Sequence, residues 1–291
     1  MNGILLVDKP EGLTSAEVVR VVKKRLGVEK LGHLGTLDPF ASGLLPLCVG
    51  TGTKIAQFLL AEHKVYTGTI RLGIETDTWD ATGSVTRTAP VPRCDPEVLR
   101  DLEQRFSGEY WQTPPMYSAL KRHGVPLYRL ARRGMTVERQ PRKVTIEQFS
   151  LVQAGSDLLR FSLRCSKGTY VRALATDLGA ALGCGAHLST LRRTAFGPFG
   201  LSEAIPFPAL CDRLVGGELP LLSLSQALRH YRALAVSAEA AAQLRRGQQG
   251  ALRELPQPQS ELETVQLLAP DGTLVALAEQ RQGQWRLVRV L

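Results

Sequence analysis

The chain has 291 residues, of which 44% are hydrophobic and 22% charged, which fits one large globular domain or a large domain with a small companion. No run of eighteen apolar residues occurs, and Met1-Asn2-Gly3 leads straight into an apolar segment, so neither a membrane span nor a secretory signal is expected and the default location is cytoplasmic. A net charge of +9 favours a polyanionic partner. The five cysteines, at 48, 94, 165, 184 and 211, lack zinc-ligand spacing and read as reduced, mainly structural thiols, so no metal is expected.

Residues 4–9 read as a short strand stopped by Pro10 and Gly12. Thr14 and Glu17 form a capping box for a helix reaching Leu26, with Val18, Val19, Val22 and Leu26 as its buried stripe and Gly27 as its stop. Lys23, Lys24 and Arg25 fall mostly off that stripe and read as a solvated face.

The segment Gly32-His33-Leu34-Gly35-Thr36-Leu37-Asp38-Pro39-Phe40-Ala41-Ser42-Gly43-Leu44-Leu45-Pro46 reads as a glycine-punctuated loop running into an apolar strand at residues 44–50. Pro39 biases Asp38 toward extended backbone, and the glycines let the loop come close to another molecule, so the loop can present a single acid rigidly. Asp38-Pro39 is equally a common turn initiator. Gly50-Thr51-Gly52-Thr53-Lys54 lacks the spacing of a phosphate loop or a dinucleotide fingerprint, which argues against ATP and NAD. Thr53 reads instead as the cap of a helix over residues 54–60, and Lys54 is a candidate substrate contact.

Residues 64–76 form a long run of β-type residues, with Tyr66, Gly68, Ile70 and Leu72 on one face. Tyr66 alone would pass for a core aromatic. Asp95 as cap and Pro96 at the first turn open a helix with Val98, Leu99, Leu102 and Phe106 on its stripe, closed by Gly108. Residues 118–143 then carry eight basic side chains (Lys121, Arg122, Arg129, Arg132, Arg133, Arg139, Arg142 and Lys143) against the single acid Glu138, with a short helix over 126–133. Such dense single-sign charge favours phosphate contact over a merely solvated excursion.

Residues 142–149 and 158–165 read as strands joined by the Ala154-Gly155-Ser156-Asp157 turn. Val171, Leu174, Leu178 and Leu182 give a helical stripe ending at Gly183, which places Tyr170 and Arg172 at a strand-to-helix turn. Taken alone, Arg172 looks like a surface helix charge. Proline and glycine thicken over residues 197–220, a short helical pattern starts at Leu221, and a domain boundary is placed near Arg232. Beyond it a helix at 237–246 and three strands (264–268, 273–278, 284–290) suggest a small β-rich barrel.

Several of these segments together resemble the TruB family of tRNA pseudouridine synthases: the 32–46 segment, the Asp-Lys-Pro-Glu-Gly-Leu-Thr-Ser opening at 8–15, Tyr66 followed by Asp77-Thr78-x-Asp80-Ala81-x-Gly83, Pro114-Pro115-Met116-Tyr117-Ser118-Ala119-Leu120-Lys121, Cys-Ser-Lys-Gly-Thr-Tyr170-x-Arg172, and Gly185-Ala-His187-Leu-x-x-Leu191. The resemblance spans residues 3–195, and the C-terminal part resembles the family's PUA-like RNA-binding domain more weakly.

It implies an α+β fold with a large mixed, mainly antiparallel sheet flanked by helices, a catalytic domain over 1–231, and a PUA-like domain over 232–291. It further implies isomerisation of uridine to pseudouridine in tRNA, at uridine 55 of the T loop. Asp38 would be the nucleophile, attacking the sugar C1′ or the uracil C6, and Arg172 its partner. An enclosed carboxylate is desolvated, and an adjacent guanidinium restores its ionised form. Tyr66 would stack on the uracil and is a candidate for removing the C5 proton, Tyr170 would pack near the base, Leu191 would line the pocket, and His33 would fill the space the base leaves. The basic 118–143 segment would be a thumb over the T-arm stem-loop. No cofactor and no obligatory protein partner is expected, and the chain is expected to be a monomer. The competing expectations are a guide-RNA-directed pseudouridine synthase and a noncatalytic tRNA-binding or folding protein.

Overall fold

Ile4, Leu5, Leu6 and Val7 are all buried, and so is every residue of Ser42–Val49, as in strands covered on both faces. These two strands pair antiparallel, from Gly3 opposite Val49 to Lys9 opposite Gly43, and seed a large sheet. The computed structural model describes residues 1–122, 124–214 and 219–291; residues 215–218, within the proline- and glycine-rich stretch at 197–220, lie outside the described residues.

Across the sheet the strands run Ile205–Pro206, Gly3–Lys9, Ser42–Val49, Ala186–Phe196, Lys64–Leu72, Leu158–Cys165, Arg142–Gln153 and Gly108–Gln112. Pairing is antiparallel except where Gly3–Lys9 meets Ile205–Pro206 and where Ser42–Val49 meets Ala186–Phe196. The sheet is therefore mixed and mainly antiparallel.

One face buries Leu5, Val7, Leu45 and Leu47 under the helices Ser15–Leu26, Pro96–Phe106, Val171–Ala181 and Phe207–Arg213. The Ser15–Leu26 helix begins with the expected capping box and ends at Gly27 with φ +61°. Val18 and Val22 are fully buried, each contributing about 1.5–3 kcal/mol relative to exposure. The other face buries Ile4, Leu6, Leu44, Cys48 and Phe196 against Ile55, Leu59, Ala227, Leu228, Leu274 and Leu277.

The last of these belong to a second sheet, in the order Arg232–Ala235, Thr264–Leu268, Leu274–Arg281 and Gln284–Val290. Its own core gathers Val236, Ala240, Ala241 and Leu244 of the adjoining helical segment with Val265, Leu267, Val275 and Trp285. The strand Arg232–Ala235, which pairs parallel to Thr264–Leu268, is one more than the sequence suggested, because Arg-Ala-Leu-Ala lacks β-branched and aromatic residues.

Several local expectations are corrected. Residues 50–55 form a 3₁₀ turn before the helix Ala56–Leu60, and the Thr53 hydroxyl donates back to the Gly50 carbonyl at 2.9 Å instead of capping a helix. The 64–76 run breaks at Gly73, whose φ of +78° separates Lys64–Leu72 from Ile74–Thr76. Asp95 precedes its helix as expected, but its carboxylate binds Arg93 Nε at 2.7 Å and caps nothing. The helix at 126–133 shortens to Leu127–Ala131. Ala186–Phe196, quoted above only as motif, is a strand at the centre of the large sheet.

Candidate active site

Asp38 lies between the short strand Leu31–His33 and Ser42–Val49. Its carbonyl accepts the Ala41 N–H at 3.1 Å, so residues 38–41 close a tight turn with Pro39 at the position where its fixed φ fits. Turn initiation and presentation of an acid are thus the same feature.

The loop is tied from two sides. From the N-terminal motif, Lys9 Nζ donates to the carbonyls of Pro10 and Leu13, both at 2.7 Å, and reaches that of Pro39 at 3.4 Å. The Ser15 hydroxyl donates to the Leu37 carbonyl at 3.1 Å and accepts the Leu37 N–H at 2.9 Å. From the opposite side, the buried Arg193 donates through Nε to the Leu44 carbonyl at 2.7 Å and through Nη2 to the Gly35 carbonyl at 3.0 Å. Gly43, at φ +103°, makes this crossing possible, since a Cβ there would stand 2.3 Å from the Arg193 carbonyl oxygen. Gly43 therefore admits the protein's own strand, whereas a side chain at Gly32 would meet open space.

Arg172 opens the Val171–Ala181 helix and is only 4% exposed, so it is not a surface charge. Its Nε lies 2.9 Å from Asp38 Oδ2. Nη1 donates to the Thr78 carbonyl at 3.1 Å and stands 3.5 Å from Asp80 Oδ2, while Nη2 donates to the Tyr117 carbonyl at 2.7 Å. Asp80 is itself held, its Oδ1 accepting from the Thr78 hydroxyl at 2.7 Å, the Thr82 N–H at 3.0 Å and the Thr82 hydroxyl at 2.5 Å. The guanidinium fork thus joins two carboxylates and two carbonyls, which a lysine ammonium could not do in the same geometry.

Burial pushes the Asp38 carboxyl above the ordinary carboxylate range; Arg172 pulls it back and Asp80 opposes that, with a net upward shift. The side chain keeps 34% of its surface open, so the charge at the end of the fork remains reachable. Burial also raises the Tyr66 phenol, against the pull of Arg193, and the Tyr170 phenol, against the pull of Ser118 and Arg142. Both phenols feel the charge of Asp38, which itself meets Arg172.

Tyr66 stands opposite Arg193 in the ladder between Lys64–Leu72 and Ala186–Phe196, and Leu191 stands opposite Gly68 on the same face. Tyr66 and Leu191 share the core layer that holds Leu37, next to the acid. Tyr170 is pinned by Gln112, which accepts its N–H at 2.7 Å and donates to its carbonyl at 3.0 Å. His33 is half-buried beside Arg193, and both its burial and that charge lower its basicity.

Lys54 is not brought to this site. An eight-residue strand spans about 25 Å, and Lys54 lies beyond the Val49 end of Ser42–Val49, where its Nζ reaches the Val290 carbonyl at 3.4 Å. The basic side chains of 118–143 divide. Lys143 pairs with Glu109 at 2.6 Å, Arg122 donates to the Glu138 carbonyl at 3.1 Å, and Arg132 lies over the Tyr128 ring. Arg142 acts on Tyr170, and Arg139 lies over Trp79. Lys121, Arg129 and Arg133 make no ion pair among the described residues.

Two members of the site escaped the sequence reading. Asp80 figures there only within the Asp77–Gly83 motif, and Arg193 not at all. The available signal for Arg193 was a charge placed two residues from Leu191, on the same face of a strand. Among the described residues, no group of three or more His, Cys, Asp or Glu could hold a metal ion.

A family model described as TruB family pseudouridylate synthase (N terminal domain) matches residues 23–171, which contain Asp38 and Tyr66. The chain belongs to the TruB family. A second model, the tRNA pseudouridylate synthase B C-terminal domain, matches residues 172–216, so the strands bearing Arg193 and Tyr66 come from separately matched segments of one sheet. The chain is 46% identical to the tRNA pseudouridine synthase B of Geobacter sulfurreducens over 100% of its own length and 99% of the relative's. It is 53% identical to that of Aromatoleum aromaticum over 72% of this chain and 68% of the relative. A chain from the crystal structure of a Cbf5-Nop10-Gar1 complex aligns with a TM-score of 0.73 at 25% identity, covering 99% of this TruB chain and 84% of that one.

Proposed function

We propose that this chain converts uridine to pseudouridine in tRNA, with uridine 55 of the T loop as its target and Asp38 as the nucleophile. The observation that supports this best is the Asp38–Arg172 contact at 2.9 Å, with the buried Tyr66 and the half-buried Tyr170 feeling the charge of the same carboxylate. The similarity to tRNA pseudouridine synthase B relatives supports the choice of tRNA.

In the reaction the N1–C1′ bond breaks, the uracil turns, a C5–C1′ bond forms, the C5 proton leaves and N1 gains one. Asp38 in its ionised form attacks C1′ or C6 and makes a covalent intermediate, which divides the isomerisation into easier steps. Arg172 favours the charged form of a carboxylate that burial alone would protonate. Tyr66 and Tyr170 supply aromatic faces for an everted uracil, and Leu191 an apolar wall; eversion of a base costs a few kcal/mol, offset by such stacking. Tyr66 rests as the protonated phenol, with Arg193 beside it as the group able to stabilise a phenolate if it takes the C5 proton. His33 fills the gap left in the loop. The 118–143 segment grips phosphates, residues 1–231 form the catalytic unit, and residues 232–291 extend the RNA contact.

The experiment is tritium release from C5-labelled uridine in T-arm RNA by the purified chain without partners. Asp38→Asn should abolish release while binding stays within about tenfold, because only a transition-state interaction is lost. Substantial residual turnover would remove the nucleophile role, and a wild-type chain active only with guide RNA and partner proteins would move the assignment to the guided enzymes.

A further inference from the structure

Trp79 occupies the turn after Ile74–Thr76 with φ +65°, a left-handed conformation that a bulky side chain rarely adopts. Its neighbours hold it there. The Trp79 N–H donates to the Thr76 carbonyl at 3.2 Å, its carbonyl accepts the Leu188 N–H at 3.0 Å, and the Ala81 N–H returns to the Leu188 carbonyl at 3.0 Å. Strain of this kind persists only where surrounding contacts over-determine it, and it gathers at functional sites.

The outcome of that conformation is a division of labour within three residues. Thr78 and Asp80, on either side of Trp79, turn their carbonyl and carboxylate to Arg172. The indole between them lies under the guanidinium of Arg139, 5.6 Å from the ring centroid, within cation–π range. Arg139 also donates through Nη1 to the Pro114 carbonyl at 3.2 Å, and its Nε is buried without a partner. A side chain serving only to touch phosphate would extend into solvent. This one is drawn inward across two segments, residues 76–82 and 114–117, and each of those segments supplies a carbonyl that holds Arg172.

We propose that Trp79 and Arg139 form a clasp that positions Arg172. By joining the turn that carries Thr78 and Asp80 to the segment that carries Tyr117, the clasp sets both Nη atoms of Arg172 and thereby the approach of its Nε to Asp38. Arg139 belongs to the basic 118–143 segment, so the same contact links the RNA-gripping insertion to the reacting carboxylate. The inference rests on Asp38 and Arg172 being the reactive pair.

Four variants test it: Trp79→Gly, Arg139→Gln, the double variant of these two, and Trp79→Phe. Glycine takes φ +65° without strain, so Trp79→Gly keeps the backbone of the turn while removing the ring. Each of the first two should lower the saturating single-turnover rate of tritium release by about tenfold, with the Kd for the T-arm stem-loop within about twofold, as expected when alignment and not binding is lost. The double variant should be no slower than the slower single one, since both remove the same unit. Trp79→Phe, which keeps an aromatic face, should recover most of the rate, and the acid limb of the rate profile should move to higher pH in the three impaired variants. The clasp is refuted if the single effects multiply in the double variant. It is equally refuted if Arg139→Gln weakens binding, reduces the salt slope by about one and leaves the saturating rate unchanged, the behaviour of a plain phosphate contact. Absence of tritium release by the wild type would instead remove the pseudouridine reading itself.

Discussion

Replacing Arg172 by methionine keeps an unbranched apolar stem and removes the fork that joins Asp38, Asp80, Thr78 and Tyr117. Asp38 and Asp80 then share a buried site with Lys9 as the remaining, weaker counter-charge on Asp38. With the guanidinium gone, burial and the neighbouring carboxylate both act to push Asp38 further toward its protonated form. Removing one partner of a fully buried pair costs about 3–5 kcal/mol, because the other charge is left uncompensated; with a third of the Asp38 side chain open to solvent, the loss here should be no more than about 3 kcal/mol. The melting temperature should fall accordingly. If that energy is what keeps Asp38 charged, it corresponds to about two pH units in its ionisation, and single-turnover tritium release at pH 7 should drop by up to about 10²-fold. Protonation is reversible, so the deficit should shrink by about tenfold for each unit of pH until Asp38 ionises again. The assay is the ratio of variant to wild-type rate at saturating enzyme from pH 6 to 9. A ratio that stays flat across this range, with the variant folded, would refute the claim that Arg172 acts by holding Asp38 ionised.

The parts of this molecule that were legible in the sequence are those whose causes lie close together along the chain. The capping box of Thr14 and Glu17 spans four residues, and the alternation through Tyr66, Ile70 and Leu72 repeats every second residue. Asp38 and Arg172 were singled out by family resemblance, because nothing in their local spacing shows that residues 134 positions apart meet. The strand Ala186–Phe196 hid for the same reason. Its polar residues blur the alternation, and four of them are satisfied by distant partners: His187 Nδ1 lies 2.9 Å from the Ile74 carbonyl, Thr190 is paired with Thr69, Arg192 Nη2 donates to Asp8 at 2.7 Å, and Arg193 donates to Leu44. Lys54 failed in the opposite direction. It follows the Asp38 loop closely in sequence, but a full strand carries the chain away before it is reached.

Three further outcomes are expected. Reversing Lys121, Arg129 and Arg133 to glutamate should weaken T-arm binding and make the dependence of log K on log salt shallower by about 2–3, read by titration at several salt concentrations; an unchanged slope would place the phosphates elsewhere. His33→Ala should slow modification and weaken binding of the same RNA, and a variant matching wild type in both would end its role as filler of the vacated stack. Asp177 gives a prediction about stability. Burial pushes its carboxyl from 3.8 up to about 6, so between those values the folded chain keeps a proton that the unfolded chain has released. That contribution is present below about pH 4 and lost as pH rises through 6, leaving a half-buried charge that costs up to about 2–3 kcal/mol at pH 7. Asp177→Asn should raise the unfolding free energy at pH 7 by that amount and flatten its decline between pH 4 and 6 in urea titrations. Equal stability of the two proteins at pH 7 would mean that the ionised carboxylate is already compensated, and the burial argument for this residue would fail.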